Sequence, residues 1–223
     1  MTDEGTPVPH GLDRREFLKA VIVASVAAEV ASLLDILKFG IAPEAGVSKF
    51  LTLQLVDANG NLVTASSLPQ DSFTIILFPY PLENETNLLI RLPTSASGGV
   101  GPNNDIVAFS AICQHLGCVP PSLRYWPSGQ VPPAVASTWA SSAWKGFIYC
   151  ACHGSIYDPS QGAKVLAPPA PRPLPQGVLA WDPKTDYLYI QKMVGPTIYG
   201  HADDLAGGAP LPSSTGTTVT EQG

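Results

Sequence analysis

The chain is poor in charge and poor in cysteine, and beyond residue 42 it has no long helical pattern. Charged residues make up 13% of it, where about a quarter is usual. What charge there is leans acidic, with a formal net charge of −6. A chain with no basic face to neutralise phosphates is not built to bind nucleic acid. Its four cysteines are few, and a chain of 223 residues can bury a core without staples. No Ser-His-Asp arrangement, phosphate-cradling glycine loop, pair of catalytic carboxylates or internal repeat stands out. Proline, by contrast, is plentiful at 23 residues.

What is present begins with an address. "DRREFLK", residues 13–19, resembles a twin-arginine export signal, which carries already folded proteins across a membrane. Residues 1–16 form the tail that bears the arginines. A nearly apolar stretch over 17–42 follows, long enough to span a bilayer as one helix. Arg14, Arg15 and Lys19 favour an N-terminus inside and a head outside. Ser25-Val26-Ala27 would serve as a cleavage site, but the apolar pattern continues through Leu33, Leu34, Ile36, Leu37 and Phe39. A retained anchor is therefore expected. Glu29 and Asp35 interrupt it, and ionisable groups in hydrocarbon normally face protein or water. Ala24, Ala28, Ala31, Ser32 and Asp35 share one helical face, which suits docking against a membrane-embedded partner.

Residues 43–49, within "GIAPEAGVSK", read as a linker. Short runs rich in β-branched and aromatic residues come next: "FLTLQLV", "FTIILF", "NLLIRL", "IVAFSAI", "GFIYC", "GVLAW" and "YLYIQK". "WDPKTDY" predicts a turn that pairs the last two as a hairpin. The fold expected over 50–199 is all-β, a small sandwich or barrel. Residues 119–145 read as a long ordered loop, and 200–223 as a flexible tail.

The chemistry lies in two loops, "CQHLGC" from Cys113 and "CACHGSIYD" from Cys150. Each offers one thiolate and one imidazole, Cys113 with His115 and Cys150 with His153. Zinc would accept two cysteines and two histidines, but it leaves Cys118 and Cys152 without a task. An iron–sulfur centre of the Rieske type also uses two cysteines on one iron and two histidines on the other. His10 and His201 lie in polar terminal segments and read as bystanders.

The two boxes resemble the cluster-binding motifs of Rieske iron–sulfur proteins, C-x-H-x-G-C and C-x-C-H-G-S-x-Y. Pro168-Pro169-Ala170-Pro171 stands where that family carries a G-P-A-P loop, with proline in place of its glycine. The resemblance covers about residues 106–175. It implies an antiparallel β-sandwich with an inserted cluster-binding subdomain and one [2Fe–2S] cluster. Cys113 and Cys150 would hold one iron, and His115 and His153 the other. Cys118 and Cys152 would form a disulfide, which persists only in an oxidising compartment. Ser155 and Tyr157 match family positions whose hydroxyls donate to cluster sulfur. Gly117 and Gly154 would permit tight loops beside the cluster, and Leu116 would shield it at the docking face.

These features together resemble the high-potential iron–sulfur subunit of cytochrome bc-type quinol-oxidising complexes, archaeal respiratory ones included. The implied partners are a cytochrome b-like membrane subunit, quinol, a haem or copper acceptor, and the membrane itself. His153 is the residue implied to meet quinol. The small Rieske subunit of an arsenite-oxidase-like molybdoenzyme is the competing identity. If the linker lets the head shuttle, proline substitutions in 43–49 slow turnover and leave the cluster spectrum intact. Stopped-flow turnover on the purified complex checks this, and unchanged turnover would count against shuttling.

Overall fold

The computed structural model describes residues 50–135, 145–195, 209–212 and 216–222, all within one compact unit, Glu44–Gly223. The expected export signal, anchor and linker lie outside these residues, as do His10 and His201. Among the described residues, no helix is long and apolar enough to cross a membrane. Regular structure there consists of strands and two short 3-10 turns, Pro133–Val135 and Pro159–Gln161.

The strands are β1 (Leu53–Val56), β2 (Ile75–Pro79), β3 (Thr86–Arg91), β4 (Ile106–Ser110), β5 (Leu123–Trp126) and β6 (Phe147–Cys150). They continue with β7 (Ile156–Asp158), β8 (Lys164–Ala167), β9 (Gln176–Trp181), β10 (Leu188–Val194), β11 (Thr217–Thr218) and β12 (Thr220–Gln222). Each apolar run read from the sequence overlaps one of them. β9 and β10 pair as the expected hairpin. Its turn is held by the Asp182 carboxylate, which accepts from the Lys184 backbone N–H and the Thr185 hydroxyl.

Eight strands form one sheet in the order β11-β1-β10-β9-β4-β3-β2-β12. Its centre, β2 to β4, is apolar on both faces. Ile75, Leu77, Leu88, Ile90, Val107 and Phe109 point into one core. Their alternates Ile76, Phe78, Leu89, Ile106 and Ala108 point into another, completed by Leu53, Leu55, Leu179, Leu188 and Ile190. Burial on both sides is why these strands read as continuous apolar runs instead of alternating ones.

Two expectations need correction. The expected flexible tail includes residues that are built into the sheet. β11 and β12 occupy its two ends with only Val219 between them, so the sheet closes on itself as a barrel. The β1–β11 pairing is parallel, so the expected all-antiparallel sandwich does not hold at the closure. The Val219 N–H donates to the Val56 carbonyl, and the Thr217 hydroxyl bonds the Pro79 carbonyl. Low hydrophobicity hid this segment, because edge pairing is made by backbone groups that composition does not report. The second correction concerns 119–145. It contains β5, whose alternating burial suits a half-buried strand too short to register as a run.

Residues 111–175 leave the barrel from β4 and return at β9, which is β4's neighbour through Ala108↔Gly177 and Phe109↔Gln176. This excursion carries the second sheet, β5-β6-β7-β8, antiparallel throughout. It packs on β2–β4 through Leu123, Tyr125, Ile148 and Tyr157. A polar seam fixes its position. The Tyr125 hydroxyl donates to Asp71 Oδ1 at 2.7 Å, and the Ser128 N–H donates to the same oxygen at 3.0 Å. Burial, and then the Asp71 carboxylate, push the Tyr125 pKa up and keep it a donor. Gly146 is required here. Its φ is +88°, and a Cβ there would lie 1.9 Å from the Tyr125 hydroxyl.

Replacing Val219 by Ala should cost about 1–2 kcal/mol, since it trims a buried side chain at the closure. Urea unfolding followed by circular dichroism checks this. An unchanged midpoint would mean that the strap does not hold the barrel.

Candidate metal centre

The first cysteine box follows β4, and the second joins β6 to β7. Their spacings differ, yet both fold into the same turn. The N–H of the leading cysteine donates to a carbonyl five residues on, Cys113 to Cys118 and Cys150 to Ser155, each at 2.9 Å. The glycine four residues on donates back to that cysteine's carbonyl, Gly117 to Cys113 and Gly154 to Cys150, again at 2.9 Å. Both glycines have positive φ, +75° and +88°. A Cβ at Gly154 would meet nothing within 4 Å, so the requirement there is conformational and not steric. The Ala151 N–H donates to the Ser122 carbonyl and ties the second turn to the approach to β5.

These turns bring the two leading thiols together. Cys113 and Cys150 are both buried in the core beneath the loops. The Cys150 thiol hydrogen-bonds Cys113, and the pair loses its first proton readily, from Cys113, whose pKa is lowered to about 5. The Cys150 bond is the largest cause; Tyr157, the His115 backbone and Ser155 add to it against burial. The Cys150 pKa is pushed up, first by that bond to Cys113 and then by burial. A thiolate is the form that ligates metal, so the site favours at least one ligand already ionised.

Tyr157 is fully buried on β7. Its hydroxyl accepts the Gln114 N–H at 3.2 Å and lies 3.2 Å from Cys113 Sγ. Burial first, and then the bond to Cys113, push its pKa up, so it stays protonated and donates to the sulfur. The Ser155 hydroxyl accepts the Ala170 N–H at 3.0 Å, and Ser155 also helps to lower the Cys113 pKa. That contact fastens the loop Pro168-Pro169-Ala170-Pro171 to the second box, so the proline standing in for glycine still closes the site.

The imidazoles of His115 and His153 stand edge to face, with ring centroids 4.6 Å apart. His153 is exposed and His115 half-buried. His115 Nδ1 is buried and has no hydrogen-bond partner in the protein, as expected of a nitrogen kept for a metal. Leu116 and Val119 beside them are 59% and 41% exposed. Cys118 and Cys152 form the expected disulfide, with Cα atoms 6.8 Å apart. The thiols are thus paired with each other, and the imidazoles with each other. That division suits two metals better than one tetrahedral ion. Among the described residues, the group of metal-binding side chains with ligand atoms within 4.8 Å of one another is Cys118, Cys150 and Cys152. Two of its sulfurs are spent in the disulfide.

Every expected site residue within the two boxes therefore lies at one end of the inserted sheet. Sequence reasoning missed Gln114, which is buried at the heart of the first turn. It occupies a variable position of the motif, and nothing in the pattern marks it.

Replacing both Cys118 and Cys152 by alanine should lower stability by about 2–4 kcal/mol, the usual worth of a bridge closing a loop of this size. Denaturant titration of the double variant measures it. Non-reducing peptide mapping should also recover Cys118 and Cys152 in one linked fragment, and separate fragments would refute the pairing.

Comparison with known proteins agrees with this geometry. The profile of the Rieske [2Fe-2S] domain matches residues 88–178. The chain is 31% identical over 130 residues to the iodate reductase subunit IdrB of Denitromonas iodatirespirans, covering 58% of this chain and 60% of that one. It is 26% identical over 188 residues to the putative respiratory nitrate reductase subunit Rieske of Haloferax mediterranei, covering 77% and 73%. With the cytochrome b6-f complex iron-sulfur subunit of Parasynechococcus marenigrum it shares 31% identity over 177 residues, covering 77% and 81%. The buried thiol pair, the adjoining imidazole pair and these matches lead to one conclusion: the chain belongs to the Rieske [2Fe–2S] iron–sulfur proteins, electron-transfer subunits whose cofactor is one [2Fe–2S] cluster.

Proposed function

We propose that this chain is the iron–sulfur subunit of a membrane quinol-oxidising respiratory complex. It would take an electron and a proton from quinol and pass the electron to a haem or copper acceptor. Cys113 and Cys150 hold one iron, and His115 and His153 the other. When bound, the cluster supplies a one-electron acceptor whose histidine ligands raise its potential above that of an all-cysteine cluster.

The observation that carries this reading is the asymmetry of the site. The thiols are buried, while the His153 imidazole and the Leu116 side chain are exposed. An imidazole at the surface can accept a hydrogen bond from a quinol hydroxyl at its outward nitrogen and take the proton there. Leu116 and Val119 give an apolar rim suited to a membrane-embedded partner of the cytochrome b type. Behind that rim, Tyr157 donates toward Cys113, and Ser155 also favours its negative charge. Such donors favour the reduced state and raise the potential. The Cys118–Cys152 disulfide suits an oxidising compartment, in line with a head outside the cell membrane and a single-pass anchor over 17–42.

A second reading is favoured by the relatives. Two of them are subunits of an iodate reductase and of a putative nitrate reductase. This chain would then be the small electron-transfer subunit of an oxidoreductase of the arsenite-oxidase-like kind. The native complex separates the two. Purified from its source membrane, it should contain b-type haem and no molybdenum under the first reading. Molybdenum without haem b would establish the second.

The electron-transfer assignment has its own test. A redox titration followed by electron paramagnetic resonance at several pH values should give a Rieske spectrum. Its potential should fall as pH rises, because reduction and proton uptake at histidine are linked. A low, pH-independent potential would instead make the chain a ferredoxin-like carrier and sink the quinol role.

A further inference from the structure

One polar side chain at the centre is left unexplained by the roles above. Gln114 is 1% exposed, and both of its amide atoms, Nε2 and Oε1, are buried without a hydrogen-bond partner in the protein. Leaving a buried amide open at both ends is costly, and native interiors rarely do so. The backbone offers no relief, since the Gln114 N–H is already committed to the Tyr157 hydroxyl. On one side of Gln114 is Cys113, which receives the bond from Tyr157; on the other is His115, whose Nδ1 is also buried and without a partner. On the ligand assignment proposed above, His115 would be held to iron, which would account for its open nitrogen. The Nε2 donor of Gln114 needs an acceptor that the protein does not supply, at a place where, on that ligand assignment, an inorganic group rich in sulfur acceptors would sit.

We propose that Gln114 is a third side-chain donor to the cluster, with Nε2 directed at sulfur, alongside Tyr157 and Ser155. The inference rests on the ligand assignment made under the proposed function. An N–H bond to sulfur stabilises the charge added on reduction and so raises the potential. A carboxamide does not titrate, so its contribution is the same at every pH. That separates it from any effect passing through the histidines.

The test uses the full chain carrying its cluster. Gln114→Met keeps the length of the side chain and removes the donor, and Gln114→Leu is a second apolar replacement. Each should shift the reduced-to-oxidised ratio about tenfold toward the oxidised form, about 59 mV for a one-electron couple, by equal amounts across the pH range. The wild type gives a readout that needs no variant. With glutamine labelled at the side-chain nitrogen, pulsed electron paramagnetic resonance should detect a nitrogen coupling that Gln114→Met abolishes. Potentials matching the wild type in the variants, or no such coupling in the wild type, would overturn the proposal and leave Gln114 a packing residue. A wild-type protein without a Rieske spectrum would overturn the ligand assignment itself, a distinguishable failure.

Discussion

The architecture depends on a wall of three strands, β2 to β4, that is apolar on both faces. One face closes the barrel core through Ile76, Phe78, Leu89 and Ala108. The other receives the inserted sheet through Leu77, Leu88, Ile90 and Phe109. Each wall residue removed from water contributes on the order of 1.5–3 kcal/mol, and here alternate residues serve opposite cores. The cluster-binding end is therefore not an appendage. Cys113 and Cys150 belong to the same packed cluster as Leu88 and Phe109, so the two thiols inherit their positions from the barrel. The polar seam from Asp71 to Tyr125 and Ser128 fixes the remaining freedom, because a buried phenol bonded to a half-buried carboxylate has a narrow choice of geometry.

Above that foundation, the two boxes solve one problem twice. Each needs a leading cysteine turned inward and a histidine turned toward the surface. The repeated pair of backbone bonds, closed by a glycine at positive φ, provides that turn. The loops differ in where the imidazole falls, at the third position in one and the fourth in the other. That offset leaves the fourth position of the first box to exposed Leu116 and the third of the second to Cys152, bonded to Cys118. The sulfurs are inside and the imidazoles at the rim, so the two kinds of side chain meet different surroundings, one buried in the core and one open to solvent.

Much of this was legible in the residues, and the reason differs from part to part. The cysteine and histidine spacing follows two distinctive motifs, so the family could be read without a structure. The wall was legible as continuous apolar runs, although only the structure explains their continuity by two cores. β5 and the closing strands β11 and β12 were not legible. They are short, and they are held by backbone bonds or by one alternating face, neither of which leaves a strong compositional mark. Gln114 escaped for another reason. A motif records the residues that a ligand set requires, whereas a buried amide announces itself only through the absence of a partner.

The six residues from Thr217 to Gln222 occupy both ends of the large sheet, with a consequence for how the molecule meets its own copies. A bare strand edge is a template for pairing with another chain, and barrel closure removes two such edges at once. What remains are the outer strands of the small sheet, β5 and β8, each four residues long and each carrying a cation, Arg124 and Lys164. Short, charged edges are poor templates for aggregation. A head with an exposed apolar rim can thus stay dispersed at high concentration, since the edges among its described residues offer other copies little to grip.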